Sequence, residues 1–289
     1  MNTRELLKKV RKIEIKTRGL SQHLFSGEYH SAFKGKGMSF SEVRAYQYGD
    51  DVRDIDWNVT ARTGTPHVKL FEEERELTLM LLMDVSGSAF FGTGQGLRRE
   101  LFTEIGATLA FSAIQNNDKV GVIFFSDRIE KFIPPKKGRA HILLIIREML
   151  GLQPQGRGTD IGAALEFLHR VLKKRSIAFL MSDFICEKDY EHPLRIVARK
   201  HDLIGLRMYD VFEQSLPEAG LLRVKHAETG QYAWLDTDLD SVRQAFAKHF
   251  EQQEKQFDRI FSKAGADRLS LSTEESYEKA LLRFFKKRS

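Results

Sequence analysis

Between Leu77 and Met208, short apolar runs alternate with stretches whose apolar positions recur every three to four residues. The runs are 77–83 (LTLMLLM), 119–125 (KVGVIFF), 175–181 (RSIAFLM) and 201–208 (HDLIGLRM). The amphipathic stretches cover about 97–116, 140–150, 160–174 and 188–200. A continuous apolar run suits a strand buried on both faces, and the longer period suits a helix with one face on a core. Their alternation predicts a doubly wound, Rossmann-like α/β domain, with a mostly parallel sheet covered by helices on both faces. A further short strand at 129–135 (IEKFIPP) follows the turn at Ser126-Asp127 and is expected to form an antiparallel edge.

The flanks have other textures. Residues 3–16 read as a helix, with Thr3 able to cap it, Glu5 in its first turn, and Leu6, Val10 and Ile13 spaced to dock one face onto the body. Residues 26–76 mix scattered glycines, many aromatics and short alternating runs such as HVKLF, the texture of a small β-rich module. After Met208 come a hairpin-like stretch through GQYAWLD, a long polar helix at about 239–264 and a last helix, EESYEKALLRFFKK. The expected organisation is an N-terminal helix and β-rich module over 1–76, an α/β domain over 77–236 and a C-terminal helical extension over 237–289. There is no internal repeat and no low-complexity linker.

Composition narrows the setting. No apolar run approaches the roughly 20 residues that span a bilayer, so no transmembrane segment is expected. The first 20 residues carry charges where a signal peptide needs an apolar core. Cys186 is the only cysteine, which excludes an internal disulfide and suits a reducing compartment; the cytoplasm is the expected address. The net charge is +6, and residues 1–36, with nine Lys or Arg against three Glu, carry all of it. A solvated helix face accounts for such a start. The alternative is an adaptor that binds nucleic acid or an anionic membrane surface.

Candidate chemistry sits where the apolar runs end. LTLMLLM runs into DVSGS, which places Asp84, Ser86 and Ser88 at alternate positions after the first strand. QGRGTDIG puts Thr159 and Asp160 at a glycine-flanked helix start, and AFLMSDF ends another strand at Asp183. Such residues cap turns and helices, and they also form binding walls. In a doubly wound sheet ligands bind outside the carboxyl ends of the strands. Three loops that bring hydroxyls and carboxylates there, with no His or Cys, suit a hard cation such as Mg²⁺ or Mn²⁺.

The order Asp84-x-Ser86-x-Ser88, then Thr159, then Asp183 resembles the metal-ion-dependent adhesion site of von Willebrand factor A domains. The resemblance implies that the serines and Thr159 ligate the cation directly or through water. It implies too that the two aspartates bind it and balance its charge, and that one coordination position is left for an acidic side chain of a protein partner. The sequence departs from the pattern at Phe184, where many such domains have glycine.

The segment FKGKGMSFSEVRAYQYGDDVRDIDWNVTARTGTPHVKLFEEE resembles the signature of a widespread bacterial family of unknown function, domain of unknown function family fifty-eight. Its pattern is G-x-G, then R-x-Y-x-x-G-D-D-x-R-x-I-D-W, then A-R, and nearly the whole chain fits. Genes of that family typically neighbour MoxR-type AAA+ ATPases, which makes such an ATPase, or its client, the implied partner. In the residues themselves, Gly49-Asp50-Asp51 is a turn. Arg44, Arg53 and Arg62 match Asp50, Asp54 and Asp56 in number and predict a structural ion-paired network around Trp57.

Enzymatic alternatives lack parts. A haloacid-dehalogenase-type phosphatase needs a second Asp two residues after the first, where this chain has Ser86. A serine hydrolase needs G-x-S-x-G and a histidine partner, and DVSGS supplies neither. Gly92, Gly94 and Gly96 fit no phosphate-binding loop, the histidines form no zinc motif, and Cys186 has no identifiable helper. The expectation is a cation-dependent protein-interaction module and not an enzyme.

Overall fold

In this computed structural model of the protein the described residues are 8, 11–13, 39–72, 77–90, 98–225 and 231–288. The chain divides into two compact units, Phe33–Leu77 and a larger one of Met1–Ala32 with Thr78–Ser289. Leu6, Val10, Gly92, Gly94 and Gly96 lie outside the described residues. Of the N-terminal helix, Lys8 and 11–13 are helical; Ile13 is buried, while Lys8, Arg11 and Lys12 are exposed.

In the smaller unit, strands β1 (Ser39–Ala45) and β2 (His67–Glu72) pair antiparallel, with Arg44 opposite Val68 and Ala45 opposite His67. Between them the chain makes a short 3-10 turn, Val52–Asp54, and the helix α1 (Trp57–Thr63). The module therefore carries a helix as well as its strands. Asp56 starts α1 by accepting the N–H groups of Asn58 and Val59, and Gly64, at φ 75°, ends it in the left-handed conformation that glycine adopts without a Cβ clash.

The ion-paired network predicted around Trp57 breaks up into local pairs. Arg44 donates both terminal nitrogens to Asp50, at 2.8 and 2.7 Å, and Arg53 pairs with Asp51 at 2.7 Å. Asp56 serves as the helix cap, with Lys69 at 3.6 Å, while Asp54 and Arg62 are exposed. Trp57 is 66% exposed. The cause is chain proximity: the turn at Gly49 and the cap at Asp56 give Asp50, Asp51 and Asp56 partners a few residues away.

The larger unit is built on a six-stranded sheet of order β10-β7-β6-β3-β4-β5. Its strands are β3 (Thr78–Asp84), β4 (Lys119–Phe125), β5 (Ile129–Lys136), β6 (Ile177–Ser182), β7 (Asp202–Tyr209) and β10 (Asp267–Ser272). All neighbours run parallel except β4 and β5. The antiparallel edge at 129–135 is thus present. The four inner strands, β3, β4, β6 and β7, are buried almost throughout, as runs apolar on both faces require.

Alternate side chains serve the two faces. Met80, Leu82, Ile123, Phe125 and Leu180 share a core with α4 (Ile161–Val171), α5 (Glu191–Lys200) and α7 (Asp240–Ala264). On the other side lie α2 (Arg98–Gln115), α3 (Arg139–Gly151) and α8 (Tyr277–Arg288). There a Cβ on Gly106 would meet Met149 and Leu81, and Phe179 stacks edge-on against Phe285 at 6.4 Å. α2 is buried on nearly every side, and its Thr103, Thr108 and Ser112 hydroxyls donate to carbonyls four residues back, so these hydroxyls stay satisfied. This is the Rossmann-like, doubly wound architecture, a mostly parallel sheet with helices on both faces, that the sequence pattern predicts.

The segment after residue 236 departs from a purely helical extension. Gly265 ends α7 at φ 67°, and the chain returns as β10, which pairs with β7 from Asp267–Ile204 to Ser272–Tyr209. β10 completes the sheet as its second edge, while β8 (Leu221–Lys225) and β9 (Tyr232–Asp236) form a separate hairpin.

Candidate functional site

The sheet order reverses between β3 and β6. From β3 the chain moves to β4 and β5 on one side, then returns to β6 and β7 on the other. Loops leaving β3 and β6 diverge there, and the crevice between them is where a doubly wound sheet binds ligands. Asp84 is the last residue of β3, and Asp183 follows the last residue of β6. The β3–β6 register, with Met83 opposite Met181, sets Asp84 beside Ser182 and Asp183 one residue beyond.

Asp84 is 2% exposed, and both its oxygens are held: Oδ1 accepts the Ser86 N–H at 2.9 Å and Oδ2 the Ser182 hydroxyl at 2.6 Å. The first of these bends the chain sharply after the strand. Ser86 and Ser88 then lie on one side, with their hydroxyl oxygens 3.1 Å apart. Ser86 is fully buried and Ser88 partly so. The alternate spacing of D-x-S-x-S thus puts all three oxygen side chains in one corner.

Two other loops close on this corner. Arg157 C=O accepts the Gly87 N–H at 2.9 Å, and Thr159 C=O accepts the Cys186 thiol at 3.2 Å, which ties the Thr159 loop to both neighbours. Thr159 itself is 8% exposed. The loop is fixed from behind by Glu130, which accepts the N–H groups of Gln155 and Gly156 and the Ser126 hydroxyl. Burial opposes the Glu130 charge, but these three donors outweigh it and hold the carboxyl below its ordinary range. Gly156 is needed for that approach, because a Cβ would stand 2.1 Å from Asp127 Oδ1. Asp160 turns away from the corner, caps α4 by accepting the Ala163 N–H at 2.9 Å, and pairs with Lys188 at 2.5 Å. Burial raises the Cys186 thiol.

The third loop shows how the sequence accommodates Phe184. Its φ is 60°, the left-handed region that glycine enters freely and a bulky residue enters at a cost of roughly 1–2 kcal/mol. The loop therefore has a glycine-like backbone carried by a phenylalanine. The ring is 8% exposed, 4.6 Å from Phe257 and 5.4 Å from Phe261 of α7. Its aromatic packing offsets the backbone strain.

Arg98 completes the corner and was not among the residues expected there. It begins α2, is 1% exposed, and donates Nη1 to Asp183 Oδ2 at 2.8 Å and Nη2 to Glu213 at 2.5 Å. Nη1 also reaches the Ser88 carbonyl at 3.3 Å. Burial works against the guanidinium's charge, but Asp183 and Glu213 outweigh it and raise its pKa. Burial, and then the Asp183 carboxylate, push the Asp84 carboxyl up to about 7. Arg207, on β7, donates to the Asp183 carbonyl at 3.4 Å, and its guanidinium lies 4.8 Å from the Phe250 ring centre.

The structure brings Asp84, Ser86, Ser88 and Asp183 together and anchors the Thr159 loop to them. Two buried carboxylates at neighbouring strand ends and a pair of hydroxyls are oxygen donors, and Arg98 divides its charge between Asp183 and Glu213, so the residues present fit a hard divalent cation. Among the described residues no group of three or more His, Cys, Asp or Glu is arranged to hold a metal ion. None of their helices is long and apolar enough to cross a membrane.

Residues 42–256 match the family described as "Protein of unknown function DUF58". The chain is 29% identical over 277 residues to an uncharacterized protein of Mycobacterium tuberculosis, covering 95% of this chain and 87% of that one, and equally similar to one of Mycobacterium bovis. Among solved structures it is similar to an aerotolerance-related membrane protein of Bacteroides fragilis, at 15% identity and TM-score 0.48, over 73% of this chain and 99% of that one. It is also similar to the SpRpn10 VWA domain, at 11% identity and TM-score 0.40, over 74% and 96%.

Proposed function

This chain belongs to the DUF58 family, and we propose that its sheet-edge corner is a divalent-cation-dependent site for docking another protein. One observation carries the proposal: Asp84 and Asp183, at the ends of the neighbouring strands β3 and β6, are both buried, and the Ser86 and Ser88 hydroxyls lie 3.1 Å apart in the turn that Asp84 holds. Asp84, Ser86, Ser88, Thr159 and Asp183 would hold Mg²⁺, or Mn²⁺, directly or through water. Bound there, the ion supplies Lewis acidity toward one further oxygen ligand, and a carboxylate from a partner protein suits that position.

The chain's own residues do the rest. Ser182 and the Ser86 N–H hold Asp84 in place, Glu130 fixes the Thr159 loop, and Phe184 pins the Asp183 loop to α7. The site binds and does not turn over. The partner is a MoxR-type AAA+ ATPase or its client, the protein being an adaptor in assembly or maturation, and the cytoplasm its place of work. The test is binding of a purified MoxR-type ATPase with Mg²⁺ and with chelator, for the wild type and for Asp84→Ala with Ser86→Ala. Loss in chelator and in the double variant, with an unchanged circular dichroism spectrum, supports the proposal; binding indifferent to both overturns it. The exposed Lys8, Arg11 and Lys12 favour a second reading, an adaptor for nucleic acid or an anionic membrane surface. Its mark is binding that falls steeply with salt and ignores chelator.

A further inference from the structure

Arg98 touches more of the candidate corner than any helix around it requires. Each Asp183 oxygen has one donor: Oδ1 takes the Ile185 N–H at 2.9 Å and Oδ2 takes Arg98 Nη1 at 2.8 Å. The guanidinium then spans from Asp183, past the Ser88 carbonyl, to Glu213 in the short helix α6 (Val211–Gln214). A planar fork serves the two carboxylates from two separate nitrogens held in fixed geometry, where a lysine would offer a single one.

The two anchors differ. Asp183 is 2% exposed at its side chain and belongs to the proposed ligand set; Glu213 is 23% exposed and does not. Glu213 is itself held in place, since its Oε2 accepts the Asp210 N–H at 3.0 Å in a capping box. It is therefore a fixed, partly hydrated carboxylate, placed to keep the guanidinium when Asp183 is drawn elsewhere.

We propose that Arg98 is a tethered cation that competes with the divalent ion for Asp183, with Glu213 as the anchor onto which it is displaced. The inference rests on the docking-site reading above. A cation that draws on Asp183 Oδ2 competes with Nη1 for that oxygen, and a fixed positive charge in a buried corner raises the ion concentration needed for occupancy. Arg98 is thus a positioning residue that sets the threshold of cation binding.

The test is titration of the full chain with Mn²⁺ alone, followed calorimetrically, for the wild type, Arg98→Met, Arg98→Lys, Glu213→Gln and Asp183→Asn. The proposal expects R98M to bind Mn²⁺ about tenfold more tightly and E213Q about tenfold more weakly. R98K, which keeps the charge, should return affinity toward the wild type. A wild type that binds nothing while R98M binds also supports it. Equal dissociation constants for wild type, R98M and E213Q, with D183N weakened, overturn the inference and leave the metal site standing. If no variant binds Mn²⁺, the docking-site reading fails and takes this inference with it. R98M leaves two carboxylates unpaired, so its fold is checked by circular dichroism. If R98M does not fold, E213Q decides alone, and wild-type affinity in it overturns the proposal.

Discussion

Arg98 and Arg53 each hold an aspartate at hydrogen-bond distance, 2.8 Å for Asp183 and 2.7 Å for Asp51, but their side chains are 1% and 89% exposed. The two pairs would be indistinguishable in a table of distances. In the sheet-edge corner both ions have left water, and Asp183 takes its countercharge from Arg98. In the smaller unit water solvates both ions whether or not they touch, so their pairing adds little. The difference lies in desolvation. Removing Arg98 strands Asp183 in a dry pocket, whereas removing one member of the exposed pair returns its neighbour to water.

The comparison breaks most sharply at Arg98. Arg98→Met is expected to lose on the order of 3–5 kcal/mol of unfolding free energy, read from urea denaturation. A variant as stable as the wild type would mean that the corner is wet. Phe184 tests the same corner without charge. Phe184→Ala removes a buried ring and should cost about 3 kcal/mol. Phe184→Gly should cost about 1 kcal/mol less than alanine, because glycine meets no penalty at φ 60°. If alanine proves the better tolerated of the two, the strain is not real.

His201 sharpens the burial side with a titration. It is 2% exposed, and its Nδ1 lies 2.8 Å from the Ser176 hydroxyl. Burial, and then neighbouring Lys200, push its pKa down to about 4. Below the ordinary histidine pKa of about 6.5 the unfolded chain takes up a proton that the folded chain refuses. Its contribution is therefore complete above that value and lost as pH falls toward about 4. The wild type should lose roughly 1–2 kcal/mol across that window relative to His201→Gln, measured by denaturation at each pH. A pH dependence identical in both would remove His201 from the account. Smallest of all, Arg53→Ala and Asp54→Ala should leave the urea midpoint unchanged, and a clear shift in either would restore the idea of a network around Trp57.

What could be read from the sequence depended on whether its cause was local. The strand ends at Asp84 and Ser182 are announced by apolar runs buried on both faces, so the corner that joins Asp84, Ser86, Ser88 and Asp183 was visible. α1 has equally local signals, Asp56 at its start and Gly64 at its end, but the surrounding strand-like alternation hid them. β10 is a six-residue strand between two long helices, and its alternation R-L-S-L-S was too short to stand out. Arg98 left no local trace at all, because Asp183 and Glu213 lie 85 and 115 positions away. The conformation at residue 184 was concealed by the side chain: phenylalanine does not advertise a left-handed backbone, and only its packing on α7 explains why it is tolerated.

The return of the chain at β10 bears on how the protein is made. β7 is complete at Tyr209, but the strand that covers its outer edge begins at Asp267. While a ribosome adds the residues between them, at about 5–20 per second, β7 offers a row of unpaired amides along a flat apolar strand. For those seconds the nascent chain has no β10 of its own, and a neighbour's β7 can pair in its place. A parallel partner brought from so far along the chain also closes slowly once free. Yield on overexpression should then be limited less by the stability of the finished fold than by crowding of unfinished chains.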